Sequence, residues 1–219
     1  MLTILKERPA FAIFVQFFIL ILILGFFWSL VLNKLEIHNY LNCYHSLFLD
    51  YFFQVITVLG DGVFAIIVSV FIFFVKDKKQ GILLILTFLI SALLVQILKN
   101  FIFFDSMRPL FYIQSGELKV EIVEGLKLHV HNSFPSGHTT TIFAMCSMFS
   151  LFVKSRKFGI FLFVIALATA YSRIYLSQHF FQDTLAGALI GVAVSLIIFQ
   201  IFTRKIAMNS NNSVQKQHD

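Results

Sequence analysis

Residues 10–32 read AFAIFVQFFILILILGFFWSLVL, an apolar run from Ala10 to Leu32 whose one strongly polar member is Gln16. About 20 helical residues cross a bilayer core of about 30 Å, so this run suffices for one membrane helix. Lys6 and Arg8 precede it, as in a secretory leader. The run is longer than a leader's apolar core of about 7–15 residues, and no small-x-small cleavage site follows it. It is read as a retained transmembrane helix.

The rest of the chain extends that reading. Of 219 residues, 58% are hydrophobic and 13% are charged. A soluble domain carries about twice that charged share. The formal net charge is +6, but the basic residues sit at the ends of apolar runs. No basic stripe interleaved with aromatics appears, so a nucleic-acid partner is excluded. Cys43 and Cys146 form neither a disulfide framework nor a thiolate metal site, and both read as structural.

Six runs are long enough, or nearly so, to span: Ala10–Leu32, Tyr51–Val75, Gly81–Leu98, Thr139–Val153, Phe158–Tyr171 and Thr184–Phe202. The expectation is an all-α, polytopic bundle of six transmembrane helices. It forms one domain over residues 1–208, with a disordered cytoplasmic tail over 209–219. Lys6, Arg8, Lys76, Lys78, Lys79, Lys154, Arg156, Lys157, Arg204 and Lys205 fall on one side if the helices alternate. The positive-inside rule then puts both termini in the cytoplasm. The localisation expected is the inner membrane of a bacterium.

The longest connector, Lys99–Phe134, lies on the outer side between the third and fourth helices. Leu118, Val120 and Ile122 alternate with charged residues, and after Glu124-Gly125 so do Leu126, Leu128 and Val130. Period two on both sides of a glycine turn predicts a small β-hairpin.

Polar residues collect at the outer helix ends: Lys99, Arg108, Ser136, Gly137, His138, Arg173, His179 and Asp183. Cations beside a helix N-terminus make an anion site, and the arginine fork suits phosphate. His179 and Asp183 are four apart and on one helix would share a face. Asp183 can then hold one imidazole nitrogen protonated and leave the other free to attack. His138 remains as a general acid. A metal site would want more carboxylates or histidines on converging positions, so neither a metal nor another cofactor is expected.

These residues form motifs. Pro135-Ser136-Gly137-His138 is PSGH, and Ser172-Arg173, His179 and Asp183 stand in the pattern SRxxxxxHxxxD. Lys99 and Arg108-Pro109 approach KxxxxxxRP, with eight residues between Lys and Arg instead of six. In these motifs the chain resembles the type 2 phosphatidic acid phosphatase family, membrane phosphatases related to vanadium haloperoxidases. The resemblance implies a metal-independent lipid phosphatase acting through a phosphohistidine. His179 would be the nucleophile, Asp183 its orienting carboxylate and His138 the acid. Lys99, Arg108, Arg173, Ser136 and Gly137 would bind the phosphoryl oxygens. The partners implied are a lipid phosphate substrate and membrane lipids.

The altered spacing has a consequence. Nine positions along a helix land almost opposite their start. The helix carrying Lys99 must therefore end before Arg108, near Asp105-Ser106, or Lys99 is displaced. Asp105 is a candidate to orient Arg108. Gly60-Asp61-Gly62 marks a helix break or a functional charge inside an apolar run. His38, His45, His129, His131 and His218 have no partner at useful spacing and are assigned to the surface or the membrane interface. Within the lipid phosphatase class, an undecaprenyl-type isoprenyl diphosphate phosphatase and a lipid A phosphatase are the alternatives. A head-group phosphotransferase would use the same nucleophile. A transporter would place charges mid-membrane in paired halves, and no halves repeat here.

Overall fold

The computed structural model describes the backbone of residues 2–215 and the side chains of residues 4–204. Its helices are α1 Leu2–Glu7, α2 Pro9–Val31, α3 Lys34–Leu41, α4 Leu47–Ile56, α5 Gly62–Val75, α6 Lys78–Ile97, α7 Pro109–Gln114, α8 Gly137–Phe152, α9 Arg156–Tyr175 and α10 Phe181–Gln215. Their starts follow local chemistry. Pro9 and Pro109 occupy first turns, where a missing N–H costs nothing. Asn33 and Glu36 form a reciprocal capping box on α3. Ser46, Asp61, Asp77 and Ser155 cap α4, α5, α6 and α9. The proposed tail boundary at 209 lies within the backbone of α10, and residues 216–219 lie outside the described residues, as does His218.

The architecture is an all-α polytopic membrane bundle. Pro9–Val31, Lys78–Ile102, Arg156–Tyr175 and Phe181–Arg204 are long and apolar enough to span. Leu47–Gly60 and Gly62–Val75, bent by 57° at Asp61, make a fifth span if taken together. The expected six spans are therefore corrected to four, or five with the bent pair. The difference is α8. Its 16 residues give about 24 Å at 1.5 Å per residue, short of the bilayer core. It instead occupies the centre, packed against α2, α5, α6, α9 and α10, with 12 of its 16 residues buried. The bend at Asp61 bears out the helix-break reading of Gly60-Asp61-Gly62.

The core is aromatic. Phe14 of α2, Phe143 of α8 and Phe163 of α9 meet edge-on in pairs, with centroids 5.6–6.4 Å apart. Phe26, Phe27, Phe71 and Phe74 point outward and are more than half exposed, as lipid-facing groups. Gly187 and Gly191 of α10 let its backbone meet α8. A Cβ at these positions would lie 2.6 Å from the Ser136 carbonyl and 2.5 Å from that of Thr140. This contact also carries a hydrogen bond from Ser136 N to the Asp183 carbonyl, 3.0 Å.

The expected β-hairpin is absent; no strand forms among the described residues. Its turn exists, with Gly125 at φ +78. The ladder fails because the apolar residues anchor separately on helices. Leu118 is 1% exposed and takes a bond from its N–H to Tyr112 O, 2.9 Å. Val123 packs with Phe53, Tyr175 and Leu176. Alternation signals a half-buried surface, and here packing on helices satisfies it without pairing. Two histidines assigned to the surface are also corrected: His38 is fully buried and the His45 side chain is 5% exposed. His129 and His131 are exposed as expected.

Candidate active site

Ser136 is the N-cap of α8, following the cis Phe134–Pro135 bond. Its hydroxyl makes no capping bond to the helix; it accepts from Thr139 Oγ1 at 3.0 Å. The first N–H groups of α8 are thus left uncapped by this side chain. At Gly137 a Cβ would find nothing closer than Val95 Cγ1, 4.0 Å away, so the backbone there is open to approach.

Two cations converge on one acceptor. Lys99 Nζ donates to the Asn132 carbonyl at 2.9 Å and Arg108 Nη2 donates to the same oxygen at 3.2 Å. The nine-position problem is solved by ending the helix early. A π turn over Leu98–Ile102 closes α6, a connector follows, and Arg108 becomes the N-cap of α7. The break lies at Ile102-Phe103, three residues before the expected Asp105-Ser106. Asp105 is exposed and does not orient Arg108. That task falls to carbonyls: Nε donates to His131 O at 2.9 Å and Nη1 to Gln178 O at 3.1 Å.

The third cation, Arg173, stands in the last turn of α9 and is 7% exposed. Its Nη1 donates to Thr57 Oγ1 at 2.7 Å, while Nε is buried with no partner. His179 is 2% exposed. One expectation fails here: His179 and Asp183 are not on one helix, because α10 begins at Phe181. A tight connector holds His179 instead, its N–H donating to Arg173 O at 3.0 Å. Asp183 sits in the first turn of α10. Its Oδ2 accepts from Phe180 N at 2.9 Å and from Ser133 Oγ at 2.5 Å. The same oxygen is 3.5 Å from His179 Nδ1. Burial, with added repulsion from Arg108, Lys99 and Arg173, holds the His179 imidazole well below its ordinary 6.5. It is therefore neutral at pH 7, the form with a free lone pair.

All eight expected residues thus lie at one end of the bundle, on the ends of α6, α8, α9 and α10 or in their connectors. Sequence reasoning missed Thr57, Ser133 and the Asn132 and Gln178 carbonyls, which orient the cations and Asp183. Only the Gly60-Asp61-Gly62 break signalled any of this. It produces a 3-10 turn, Thr57–Gly60, that delivers Thr57 to Arg173 and lays Gly60 on α8. Asp61 itself accepts from Val63 N at 2.7 Å as the cap of α5.

Two substitutions test these supports. Ser133→Ala should lower the turnover number by about tenfold and cost about 1.5–3 kcal/mol of stability, because a buried carboxylate loses one of its donors. Turnover and thermal unfolding of the purified variant check both. At Gly60 a Cβ would lie 2.8 Å from the His138 carbonyl and 3.0 Å from its Cβ. Gly60→Ala should destabilise by about 1–3 kcal/mol and cost about a further tenfold or more in rate by displacing His138. Wild-type turnover in this variant would show that the contact does not set His138.

Residues 80–207 match the PAP2 superfamily. The chain is 40% identical over 70 residues to the bacitracin transport permease protein BcrC of Bacillus licheniformis, covering 32% of this chain and 34% of that protein. It is 26% identical over 158 residues to the lipid A 4'-phosphatase of Porphyromonas gingivalis, covering 70% of this chain and 66% of that protein. These matches span between about a third and just under two thirds of the relatives' own lengths. The crystal structure of Aquifex aeolicus LpxE superposes with a TM-score of 0.65 at 29% identity, covering 76% of this chain and 94% of that one. With the family match covering more than half the chain, from the start of α6 through most of α10, the protein belongs to the PAP2 superfamily.

Proposed function

We propose that this protein is a metal-independent membrane phosphatase that hydrolyses a lipid phosphate monoester or diphosphate through a phosphohistidine. One observation carries the reading. Buried cationic groups and a neutral histidine share a site with an uncapped helix start, and Arg173 Nε has no partner there. A buried donor without an acceptor is costly, and a phosphoryl group supplies acceptors on every side.

In the first step His179 Nε2 attacks phosphorus while Nδ1 faces Asp183. The P–N bond forms, the bond from phosphorus to the lipid oxygen breaks, and His138 protonates that oxygen. Lys99, Arg108, Arg173, the Ser136 hydroxyl and the N–H of Gly137 bind the three phosphoryl oxygens and offset the charge that spreads over them. In the second step His138 takes a proton from water, which attacks phosphorus. The P–N bond breaks, inorganic phosphate leaves and His179 is restored.

The similarity to a lipid A 4'-phosphatase favours a lipid A phosphate as substrate, with an isoprenyl diphosphate as the alternative. Phosphatidic acid and phosphatidylglycerophosphate belong to the same chemistry. Short as it is, α8 carries the chain from the site back to the end of the bundle that holds Lys154, Arg156 and Lys157, and with that return the charge asymmetry of the connectors supports an outward-facing site with both termini cytoplasmic, in a bacterial inner membrane. Residues 1–208 form the phosphatase domain and 209–219 its tail.

The test is phosphate release from a panel of these lipids in detergent, with EDTA present. Release from at least one lipid, undiminished by EDTA, is the expected result. No release from any member, or activity removed by EDTA and restored by a divalent ion, would overturn the proposal.

A further inference from the structure

Helix α3 and its cap make no hydrogen bond to the eight residues described above, yet they grip the connector that carries His179. Helix α9 ends in a Schellman turn. Gln178 N donates to Arg173 O at 2.9 Å and Ser177 N to Ile174 O at 2.9 Å. The left-handed position of such a turn favours glycine, but here it is Ser177, at φ +49. The serine brings a side chain that glycine lacks. Its Oγ lies 3.3 Å from His38 Nε2 and 3.4 Å from Asn42 Nδ2.

Asn42, the C-cap of α3, is 2% exposed and reaches across to the end of α9. Its amide donates to Ile174 O and Tyr175 O, both at 2.8 Å. The last carbonyls of a helix have no partner within it, and Asn42 supplies one from a different helix. The orientation of this amide is fixed on its other side, since Asn42 Oδ1 meets His45 Nε2 at 2.7 Å. His45 Nδ1 in turn lies 3.3 Å from Asp50 Oδ1. At the far end of the connector, the His38 ring packs edge-on against Phe180, centroids 5.4 Å apart. Burial pushes the His38 imidazole down to about 4, so it enters the network neutral.

We infer that Asn42, His38 and Ser177 are positioning residues for the His179 connector, holding it from both sides so that Nε2 is aimed at phosphorus. The inference rests on His179 being the nucleophile. It also accounts for a serine kept where glycine would relieve the backbone, and for two histidines drawn into the interior.

The decisive variant is Ser177→Gly. Glycine suits the positive φ, so the fold gains while the Oγ anchor is lost. With phosphatidic acid in detergent micelles, kcat should fall about tenfold while KM stays within about twofold, because a misaimed nucleophile weakens the transition state and not substrate binding. Thermal stability should be equal or higher. Asn42→Ala should lower kcat in the same way. The double variant should lose less than the product of the two single losses, as members of one network do. Unchanged kcat in Ser177→Gly, with His179→Ala inactive, would overturn this inference alone. Turnover surviving in His179→Ala would overturn it together with the functional reading.

Discussion

Replacing His179 by alanine should remove phosphate release altogether, a loss of about 10⁴-fold or more, because a covalent route has no substitute for its nucleophile. Lipid carrying a radiolabelled phosphate should label wild-type protein after an alkaline quench and leave His179→Ala unlabelled. The environment of the side chain sharpens the expectation. Cations within electrostatic reach and near-complete burial keep this imidazole neutral. The sign follows from the lowered value: protonation removes the lone pair only at a pH well below 6.5. The acid limb of kcat/KM from His179 should therefore lie below 6.5, and activity should persist through mildly acidic pH. A limb at or above the ordinary histidine value would mean that the group titrating is not this one. Label retained on the alanine variant would reject the phosphohistidine route.

The membrane class and the polar cluster were legible because both rest on local signals. A run such as Ala10–Leu32 can be little other than a membrane helix, and PSGH and SRxxxxxHxxxD are fixed spacings. What stayed hidden depends on packing. Nothing local distinguishes α8 from a spanning helix except its length, and its burial against α2, α5, α6, α9 and α10 is a tertiary fact. The alternating residues from Leu118 to Val130 have strand periodicity, yet Leu118 and Val123 are anchored to helices. His179 and Asp183 are four apart, but the Schellman turn that ends α9 pushes the start of α10 beyond His179. The irregular spacing from Lys99 to Arg108 did announce a helix end between them. The π turn and the shared Asn132 carbonyl that reunite the two cations came only with the structure. His38 and His45 looked idle for a related reason: their partners are Ser177, far along the chain, and Asn42 and Asp50 in a connector that breaks helical spacing.

Loss of His138 should separate substrates by their leaving groups. With phosphatidic acid the departing oxygen is an alkoxide, a strong base that needs a proton as it leaves. His138→Ala should therefore lower kcat/KM by about 10²–10⁴-fold, the usual worth of a general acid. With para-nitrophenyl phosphate the leaving phenolate is stable without a proton, so the same substitution should cost far less in the first step. The second step then becomes the slower one, because the water that attacks the phosphohistidine has lost its base. His138→Ala given the nitrophenyl ester should release an initial burst of nitrophenol and accumulate labelled protein, with steady turnover slowed. Gly60 provides an internal comparison, since the carbonyl and Cβ of His138 lie against it. Gly60→Ala, which shifts the acid without removing it, should show the same dependence on leaving group at smaller amplitude. Equal losses on the two substrates, with no burst and no accumulated label, would show that His138 binds the phosphoryl group and does not move the proton.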